Sequence, residues 1–324
     1  MNFMTNKEIY TGWVQTQNRL PLFMQPWWLD AVCAGKEWDV ILVFADNSET
    51  DVVAAMPYLL RKKWWMKWIA MPQQTQIGGM WLDENREFSP DELASVCQQI
   101  ADRLAQAKLD YYYQQFPVGS PCPEQFKSLG FKVKERVTYR IDDLSDLDKV
   151  IDAFSKNKKR QLQKALSLHA ESNITAEEFY TLHQSWLAAQ KKHISYSREF
   201  LLVLEQKLRK NRQSQILTIC NPDHEPYAAA LLCWDKVRMY YLIPCFNPAY
   251  KESGASAMLV LEALKLAREK GVTFDFEGSM IRSVAQHYKQ FGSIPATYYS
   301  VEKYYNWTFR FAMAWNWLRT CKYR

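Results

Sequence analysis

Apolar and polar positions along the chain follow two periods, which predict strands and amphipathic helices. Strand-sized apolar runs stand at 38–44, 52–60, 64–71, 110–116 and 133–141 in the first half, and at 215–220, 227–234, 238–243, 272–277 and 296–303 in the second. Helical spacing predicts helices at 23–34, 89–107, 123–129, 147–168, 256–270 and 284–291, with a helical pair within 176–209. This order indicates an α+β fold, in which a mixed, mostly antiparallel sheet is flanked by helices.

The two halves repeat the same order of elements at a fixed offset. Phe126-Lys127-Ser-Leu-Gly130 matches Tyr288-Lys289-Gln-Phe-Gly292 at an offset of 162 residues (289 − 127 = 162). A repeat this long predicts a duplicated domain, and chance similarity between two amphipathic helices is the alternative. We therefore predict a first domain at 1–145, a second at 146–305 and a basic, aromatic C-terminal helix or tail at 306–324.

Composition and charge exclude several classes of protein. The chain has 324 residues and a net charge of +6, which permits an anionic ligand but does not mark a dedicated DNA-binding protein. No apolar run approaches the roughly 18 residues of a membrane span, and no signal-peptide pattern is seen. Seven scattered Cys without a Cys-x-x-Cys pair and five His without ligand spacing predict neither disulfides nor a metal site. We expect a protein of the reducing cytoplasm.

The turn before the predicted helix at 256–270 is a candidate anion site. Its residues are Lys251, Ser253, Gly254, Ala255, Ser256 and Ala257. Free N–H groups at a helix start suit a pyrophosphate, and Gly254 would let the backbone approach it closely. An ordinary helix start capped by Ser253 or Ser256 is the alternative. At the offset of the repeat, the first half places Glu92 opposite Gly254, where a carboxylate would repel phosphate.

Several short motifs carry a resemblance to a known family. The turn with Lys251, Gly254 and Ser256 is similar to an acyl-CoA loop of the pattern Arg/Gln-x-x-Gly-x-Gly/Ala. The other motifs are Gln25-Pro26-Trp27-Trp28, Met71-Pro72-Gln73-Gln74-Thr75-Gln76, Phe274-Asp275-Phe276-Glu277-Gly278-Ser279 and Tyr288-Lys289-Gln290-Phe291-Gly292. Together they resemble the GNAT superfamily, and within it the FemAB-like, BioF2-like tandem acyltransferases. The resemblance implies two tandem GNAT-like domains.

The resemblance also implies a reaction. Fem-type members transfer aminoacyl groups from charged tRNA to the peptide of a cell-wall precursor, and other members are believed to use acyl-CoA-like donors. It therefore implies an N-acyltransferase with acyl-CoA or aminoacyl-tRNA as donor, no tightly bound cofactor, and an amine acceptor such as a cell-envelope precursor. The first domain would be degenerate and form the acceptor side, while the second would bind the donor. The alternative is a non-catalytic binding protein that keeps the duplicated fold.

Two carboxylates are candidate catalytic residues. Asp275 and Glu277 alternate with phenylalanines on one predicted strand, so period-two geometry puts both carboxylates on the same face. Glu277, at the strand's C-terminal end, is a candidate amine anchor or general base. Structural ion pairs with Arg282, Lys289 or Lys303 are the alternative, because unpaired carboxylates are costly to bury.

A tyrosine and several polar residues complete the predicted site. The GNAT general-acid Tyr would fall at Lys289, so the resemblance makes Tyr288, one place earlier, the candidate acid. The candidate substrate-binding residues are Gln73, Thr75, Gln76, Tyr241 and Lys289. The glutamine-rich segment could line an acceptor groove or be a satisfied loop, and both tyrosines could be core residues. Lys289 could contact a phosphate or complement the dipole at a helix C-terminus.

Two basic segments could reach an anionic surface. Lys156–Lys164 is typical of a solvated helix face, and binding of phosphate in a nucleotide, tRNA or lipid headgroup is the alternative. From Trp307 to Arg324, aromatic residues at helical spacing stand among basic ones, the composition of an interfacial helix that could contact a membrane peripherally. A helix docked on the body and a dimer contact are the other interpretations.

Overall fold

The structure, a computed structural model, describes residues 4–33, 38–45, 48, 50–278 and 280–310. It divides into two compact units. The first unit contains the residues up to Arg136 and those from Thr297 onward, and the second unit runs from Val137 to Ala296. The predicted tail beyond residue 310 lies outside the described residues. No helix in the described part of the chain is both long and apolar enough to cross a membrane.

The predicted elements appear in the predicted order, together with a helix at Asn6–Val14 and short strands at Trp81–Leu82 and His169–Glu171 that were not predicted. Up to the unit boundary they are α1 (Asn6–Val14), α2 (Pro26–Val32), β1 (Trp38–Phe44), β2 (Val52–Lys63), β3 (Met66–Ile69), β4 (Trp81–Leu82), α3 (Pro90–Gln106), β5 (Tyr111–Gln115), α4 (Cys122–Ser128) and β6 (Lys132–Ile141). Beyond it they are α5 (Leu147–Asp152), α6 (Lys156–Lys164), β7 (His169–Glu171), α7 (Ala176–Ala189), α8 (Arg198–Lys210), β8 (Ser214–Cys220), β9 (Pro226–Trp234), β10 (Arg238–Phe246), α9 (Ala255–Glu269), β11 (Thr273–Asp275), α10 (Arg282–Lys289) and β12 (Ile294–Tyr304).

The first unit is a mixed sheet with α3 and α4 packed against it. Strands β1, β2 and β3 pair antiparallel in that order, β3 pairs parallel with β5, and β5 pairs antiparallel with β12. The buried face of α3, with Cys97, Ile100 and Leu104, packs on Tyr112 of β5. These apolar positions recur every three or four residues, which is why one helix face joins the core.

The second unit is a sheet in the order β6, β11, β10, β9, β8 and β7. Strands β10 and β11 are parallel, and the other neighbours are antiparallel. Helix α9 buries Leu259, Val260, Ala263 and Leu264 against this sheet. The parallel pair needs a crossover connection, which α9 supplies between β10 and β11. This crossover puts the start of α9 beyond the end of β10.

The compact units differ in extent from the predicted domains at 1–145 and 146–305. Strand β6 crosses the boundary, because its last residues, Arg140 and Ile141, pair with β11 of the second unit. Strand β12 crosses it too, because its residues from Ser300 to Tyr304 pair with β5 of the first unit. Both strands pair with segments that are far away in the sequence. Local sequence patterns do not reveal such pairing.

The predicted fold class and the internal repeat are confirmed. Strand β6 begins at Lys132 and β12 at Ile294, again 162 residues apart (294 − 132 = 162), and the helix, strand, helix order before each is the same. One predicted helix is wrong in extent: the stretch 147–168 forms two helices. Ser155 interrupts it, because its side chain accepts a hydrogen bond from the Lys158 backbone N–H and starts α6.

Candidate active site

A cavity of about 520 Å³ opens at the start of α9 in the second unit, and we call it the α9 cavity. Its aromatic lining consists of Tyr227, Tyr241, Phe246, Tyr250 and Tyr288. Its polar lining consists of Asn247, Lys251, Ser256, Ser283 and His287. No carboxylate belongs to the described lining. The cavity therefore combines an apolar, aromatic wall with polar groups that favour a neutral or anionic guest.

The first turn of α9 reaches the α9 cavity with free hydrogen-bonding capacity. The N-cap residue of this helix, Gly254, has no side chain with which to cap it. Lys251, Ala255 and Ser256 line the cavity, and among the described residues the N–H of Ser256 has no hydrogen-bond acceptor. An uncapped first turn with an adjacent ammonium group is an anion site in its local chemistry.

The remaining predicted donor-site residues have structural contacts instead. The Ser253 side chain accepts the Ala255 N–H at 3.2 Å, and Ala257 is fully buried with its N–H on the Gly254 carbonyl at 2.9 Å. Ser253 thus satisfies the N–H of Ala255, one of the backbone N–H groups expected to be free for a ligand. Fewer backbone N–H groups are therefore left for an anion than predicted, and Lys251 and Ser256 are the candidate residues that remain.

Gly254 is required by packing, which differs from the reason expected from the sequence. Its φ of +85° lies in the left-handed region. A Cβ atom at this position would stand 2.0 Å from the backbone carbonyl oxygen of Gln161 in α6. Helix α6, and not open space for a phosphate, therefore occupies the side of Gly254 that a side chain would take.

The equivalent helix start in the first unit is closed. Helix α3 begins with a capping box, in which Ser89 accepts the Glu92 N–H and the Glu92 carboxylate accepts the Ser89 N–H. A cavity of about 510 Å³ beside this turn is lined by Glu87, Asp91 and Glu92, with Arg86 as the basic residue. Three carboxylates at one helix start would repel an anionic donor. The two equivalent helix starts thus differ in local charge, because carboxylates lie beside the start of α3 and a lysine lies beside the start of α9.

Two tyrosines that line the α9 cavity, Tyr241 and Tyr288, keep their hydroxyl protons at neutral pH. Tyr241 is 2% exposed, and its hydroxyl has no hydrogen-bond partner among the described residues. The register between β9 and β10 shifts between Tyr240 and Ile243, so Tyr241 stands in an irregular stretch of β10. Burial raises its pKa well above 10. Burial, with the charges of two nearby carboxyl groups, raises the pKa of Tyr288 to about 12.

A buried lysine outside the cavity lining contacts His287, which is part of the lining. Lys158 of α6 is 2% exposed, and its ammonium group lies 3.0 Å from Oε1 of Gln161 and 3.3 Å from Nδ1 of His287. It forms no ion pair with a carboxylate in the described chain. The predicted solvated face of Lys156–Lys164 is therefore wrong at this position. Burial lowers the Lys158 pKa from 10.5 to about 8.

His287 presents a neutral ring to the cavity. Burial and the Lys158 charge lower its pKa to about 4. Because an ammonium group only donates, Nδ1 of His287 accepts the Lys158 hydrogen bond and the ring proton stays on Nε2. His287 is thus suited to donate a hydrogen bond to a guest and unsuited to accept a proton from one.

Asp275 is held in a structural ion pair, so its contacts do not support the catalytic role predicted for it. The carboxylate is fully buried and accepts hydrogen bonds from the Arg140 guanidinium at 2.8 Å, from the Thr138 hydroxyl and from the Glu277 N–H. The ion-pair partner of Asp275 is Arg140 of β6. Arg140 was not among the partners expected from the sequence, which were Arg282, Lys289 and Lys303.

Glu277 does not continue the strand, so the prediction that it shares a face with Asp275 is wrong. Strand β11 ends at Asp275, and Glu277 has a left-handed φ of +60°. Burial and the Asp275 charge raise the pKa of the Glu277 carboxyl group well above 4.5. Its role as an amine anchor or general base stays a prediction. The adjacent Gly278 is required because its Cβ would lie 2.3 Å from the Val137 carbonyl oxygen.

The other predicted substrate residues lie outside the α9 cavity. Lys289 is exposed in the last turn of α10, with its ammonium group 5.8 Å from the centre of the Tyr139 ring. Gln73, Thr75 and Gln76 belong to the first unit, where the Thr75 hydroxyl bonds to the Gln73 carbonyl and to the Trp28 indole. Their role toward an acceptor stays a prediction.

Sequence reasoning missed most of the cavity. Tyr227, Tyr250, Ser283 and His287 of its lining received no role, and Lys158 was considered only as part of a solvated or phosphate-binding helix face. Ser283, Val284, His287 and Tyr288 are spaced three and four residues apart on α10, a pattern that could have extended the candidate face beyond Tyr288. No local signal distinguishes Lys158 from the exposed lysines beside it.

Comparison with known proteins finds a matching family model and structures of similar fold. Residues 152–290 match the model of the acetyltransferase (GNAT) domain. Among solved structures the chain is similar to FemX, at 14% identity and a TM-score of 0.70, with 92% of this chain and 96% of that chain covered. It is also similar to a tandem GNAT protein from the clavulanic acid biosynthesis pathway, at 10% identity and a TM-score of 0.54, with 92% and 94% covered.

A third similar structure is the C-terminal domain of a protein from Agrobacterium fabrum described as a putative lysylphosphatidylglycerol synthetase. It shares 14% identity at a TM-score of 0.55, with 92% of each chain covered. No curated protein matches the chain.

Residues 152–290 therefore form a GNAT domain, and the resemblance to the GNAT superfamily is confirmed. The neighbours cover about 92% of the chain, which confirms the fold of two tandem GNAT-like domains. At 10–14% identity these structures show the fold, and membership of the FemAB-like branch stays a proposal.

Proposed function

We propose that the second unit is the donor-binding part of an acyl or aminoacyl transferase. The donor's phosphate oxygens lie at the first turn of α9, and its acyl group lies toward the tyrosines of the α9 cavity. The contrast between two helix starts carries this proposal. Helix α9 is uncapped beside a cavity without a carboxylate in its described lining, while α3 is closed by its own capping box beside three carboxylates.

The electrostatics of the α9 cavity favour an anionic donor. The positive end of the α9 dipole contributes about 1 kcal/mol toward an anion in such a position. Lys251 adds a full charge at the rim, and the Lys158 ammonium adds a second charge behind His287. Because Lys158 has no ion-pair partner in the described chain, a bound anion would also offset part of the cost of burying its charge.

Transfer to an amine places few demands on the protein. The amine nitrogen attacks the carbonyl carbon of the thioester or ester, and the carbonyl oxygen gains negative charge as the new C–N bond forms. Collapse then breaks the bond to the leaving sulfur or oxygen, which takes up a proton as the nitrogen loses one. Tyr241 and Tyr288 keep their protons at neutral pH, so they are suited to donate hydrogen bonds to the oxyanion or the leaving group.

Both donor classes fit the same chemistry. Coenzyme A and the 3′ end of a tRNA each combine phosphate groups with an adenosine, and the aromatic lining of the α9 cavity suits a stacked base or an acyl chain. The amine acceptor is the less constrained partner. The first unit, with the Gln73–Gln76 loop, is its proposed location.

Calorimetric titration tests the donor site. Wild-type protein is titrated with CoA, acetyl-CoA and, in a separate arm, aminoacyl-tRNA. We expect saturable binding of one of the two classes. Ser256→Asp should weaken it by about tenfold, equivalent to about 1.4 kcal/mol, because its carboxylate occupies the helix start. The same change should leave the free energy of unfolding unchanged or slightly higher, since an acidic first turn favours the helix.

Ser185→Asp is the matched control, because Ser185 is an exposed residue of α7 outside the cavity lining. It adds the same charge and should bind like the wild type. Equal binding by Ser256→Asp and Ser185→Asp would refute the donor site at α9, as would the failure of both donor classes to bind. Binding without transfer to any amine in a panel of acceptors would instead favour the non-catalytic alternative.

A further inference from the structure

Three metal-ligating side chains converge at a site outside the α9 cavity. His169 and Glu171 belong to β7, and His224 belongs to the turn between β8 and β9. Oε1 of Glu171 lies 2.6 Å from Nε2 of His169 and 2.7 Å from Nδ1 of His224. One ligand atom from each residue lies within 4.8 Å of the others. Donor atoms from two separate segments therefore meet at one point.

Strand pairing brings these segments together, although their spacing in sequence does not resemble a metal motif. In the antiparallel pair of β7 and β8, His169 stands directly opposite Cys220, and Glu171 shares the face of His169 as the next alternate residue. The Cys220 side chain is buried on this same face of the strand pair. The Asn221 side chain accepts two backbone N–H groups of the turn and holds the position of His224.

The charge balance of the cluster points to a cation. The Glu171 side chain is 14% exposed, and in the described chain its ion-pair partners are the two imidazoles alone. Each imidazole can present a lone pair to a metal from the nitrogen that now faces the carboxylate. The two rings stand at 89° to each other with centroids 5.6 Å apart, so they approach the carboxylate from different directions.

We propose that His169, Glu171 and His224 bind one Zn²⁺ ion. Zinc takes imidazole nitrogen and carboxylate oxygen in tetrahedral sets, and three protein ligands leave the fourth position to water. Cys220 is buried on the same face but is not one of the three proposed ligands. The ion ties edge strand β7 to the hairpin of β8 and β9, so its effect is on the stability of the second unit. This proposal does not depend on the proposed transferase function.

Calorimetry with ZnCl₂ on tag-free, metal-free full-length protein tests the site. We expect one zinc per chain and a higher melting temperature with zinc. His224→Ala should lower the zinc affinity by more than about tenfold and abolish the thermal shift. His224 is 75% exposed in its side chain, so this variant should keep the fold, which circular dichroism checks.

His193→Ala is the matched control, because His193 is exposed and lies outside the cluster. It should bind zinc like the wild type. Cobalt(II) substituted for zinc should give a spectrum without a sulfur-to-metal charge-transfer band, since no thiolate is a ligand. Absence of zinc binding by the wild type, equal affinity in His224→Ala, or a strong sulfur band would each overturn the proposed ligand set.

Discussion

Lys156 and Lys158 stand two residues apart in one basic run, yet only Lys158 is buried. The difference arises because α6 turns Lys158 toward Phe291 and His287, where its ammonium group lies 4.6 Å from the centre of the Phe291 ring. Sequence composition treats the two lysines alike. Burial in the folded unit, which composition does not report, therefore distinguishes Lys158 from Lys156.

The buried Lys158 should make stability depend on pH in a specific window. Its pKa is about 8 in the folded state and near 10.5 in the unfolded state. Between these values the unfolded state binds the proton that the folded state lacks, so stability rises with pH across the window. Below about pH 8 both states are charged, and the folded state carries the full cost of the buried charge.

Replacing Lys158 with methionine removes this cost. We expect Lys158→Met to stabilise the protein relative to wild type by roughly 2 kcal/mol at pH 7.5, and by much less at pH 10. Urea unfolding at the two pH values measures the difference. Lys156→Met, two residues away and exposed, should show no such dependence. An equal effect of Lys158→Met at both pH values would contradict the assignment.

Gly254 can be explained either by space for a phosphate or by packing against α6, and a substitution at this position distinguishes the two explanations. In Gly254→Ala, the left-handed φ and the contact with the Gln161 carbonyl both penalise the new methyl group. We expect a loss of on the order of 3 kcal/mol in the free energy of unfolding, measured by chemical denaturation.

Gly271 provides the matched control for Gly254. Its φ of +69° is also left-handed, but nothing lies within 4 Å of its Cβ position. Gly271→Ala should therefore cost only the conformational part, about 1 kcal/mol. If the two variants lost equal stability, packing against α6 would not be the reason for glycine at 254. The large loss also explains why Ser256 is the better position at which to test donor binding.

Elements with strong local signals were predictable from the sequence. Helix α3 carries Ser89, Pro90 and a capping-box Glu92 as well as apolar positions at helical spacing, and its start was placed correctly. Helix α1 carries the same type of capping box in Thr5 and Glu8, but was missed because its apolar periodicity is weak. The signal at Thr5 would have been sufficient to propose a helix there.

Elements and site residues that depend on distant pairing were not predictable. Strand β7 has three residues and forms only because β8 pairs with it. The same pairing creates the His169, Glu171 and His224 cluster, for which sequence spacing predicted no metal site. The prediction that Asp275 and Glu277 share a strand face is wrong for a related reason, since Glu277 leaves the strand where Gly278 must pass close to Val137.

For the whole molecule, the two duplicated helix starts differ in how well they suit an anion. Both units carry a helix and a cavity of about 510 to 520 Å³ at the repeated position. In the first unit the helix start is satisfied by Glu92 and flanked by further carboxylates, so an anion would meet repulsion there. In the second unit the corresponding position is Gly254, which leaves the first turn of α9 without a side-chain cap. At this equivalent position the first half thus has an acidic residue, Glu92, and the second half has a glycine, Gly254.

Hydrogen exchange of the full chain should display this asymmetry directly. If CoA binds at about ten times its dissociation constant, amides of the first turn of α9 and peptides of α10 should exchange up to about tenfold more slowly, because exchange then requires release of the ligand. Peptides from the first turn of α3 should be unaffected, since the capping box already satisfies them. Ser256→Asp should abolish the protection at α9 and α10. Protection at α3, or protection that survives in Ser256→Asp, would contradict an assignment of the donor to the second unit.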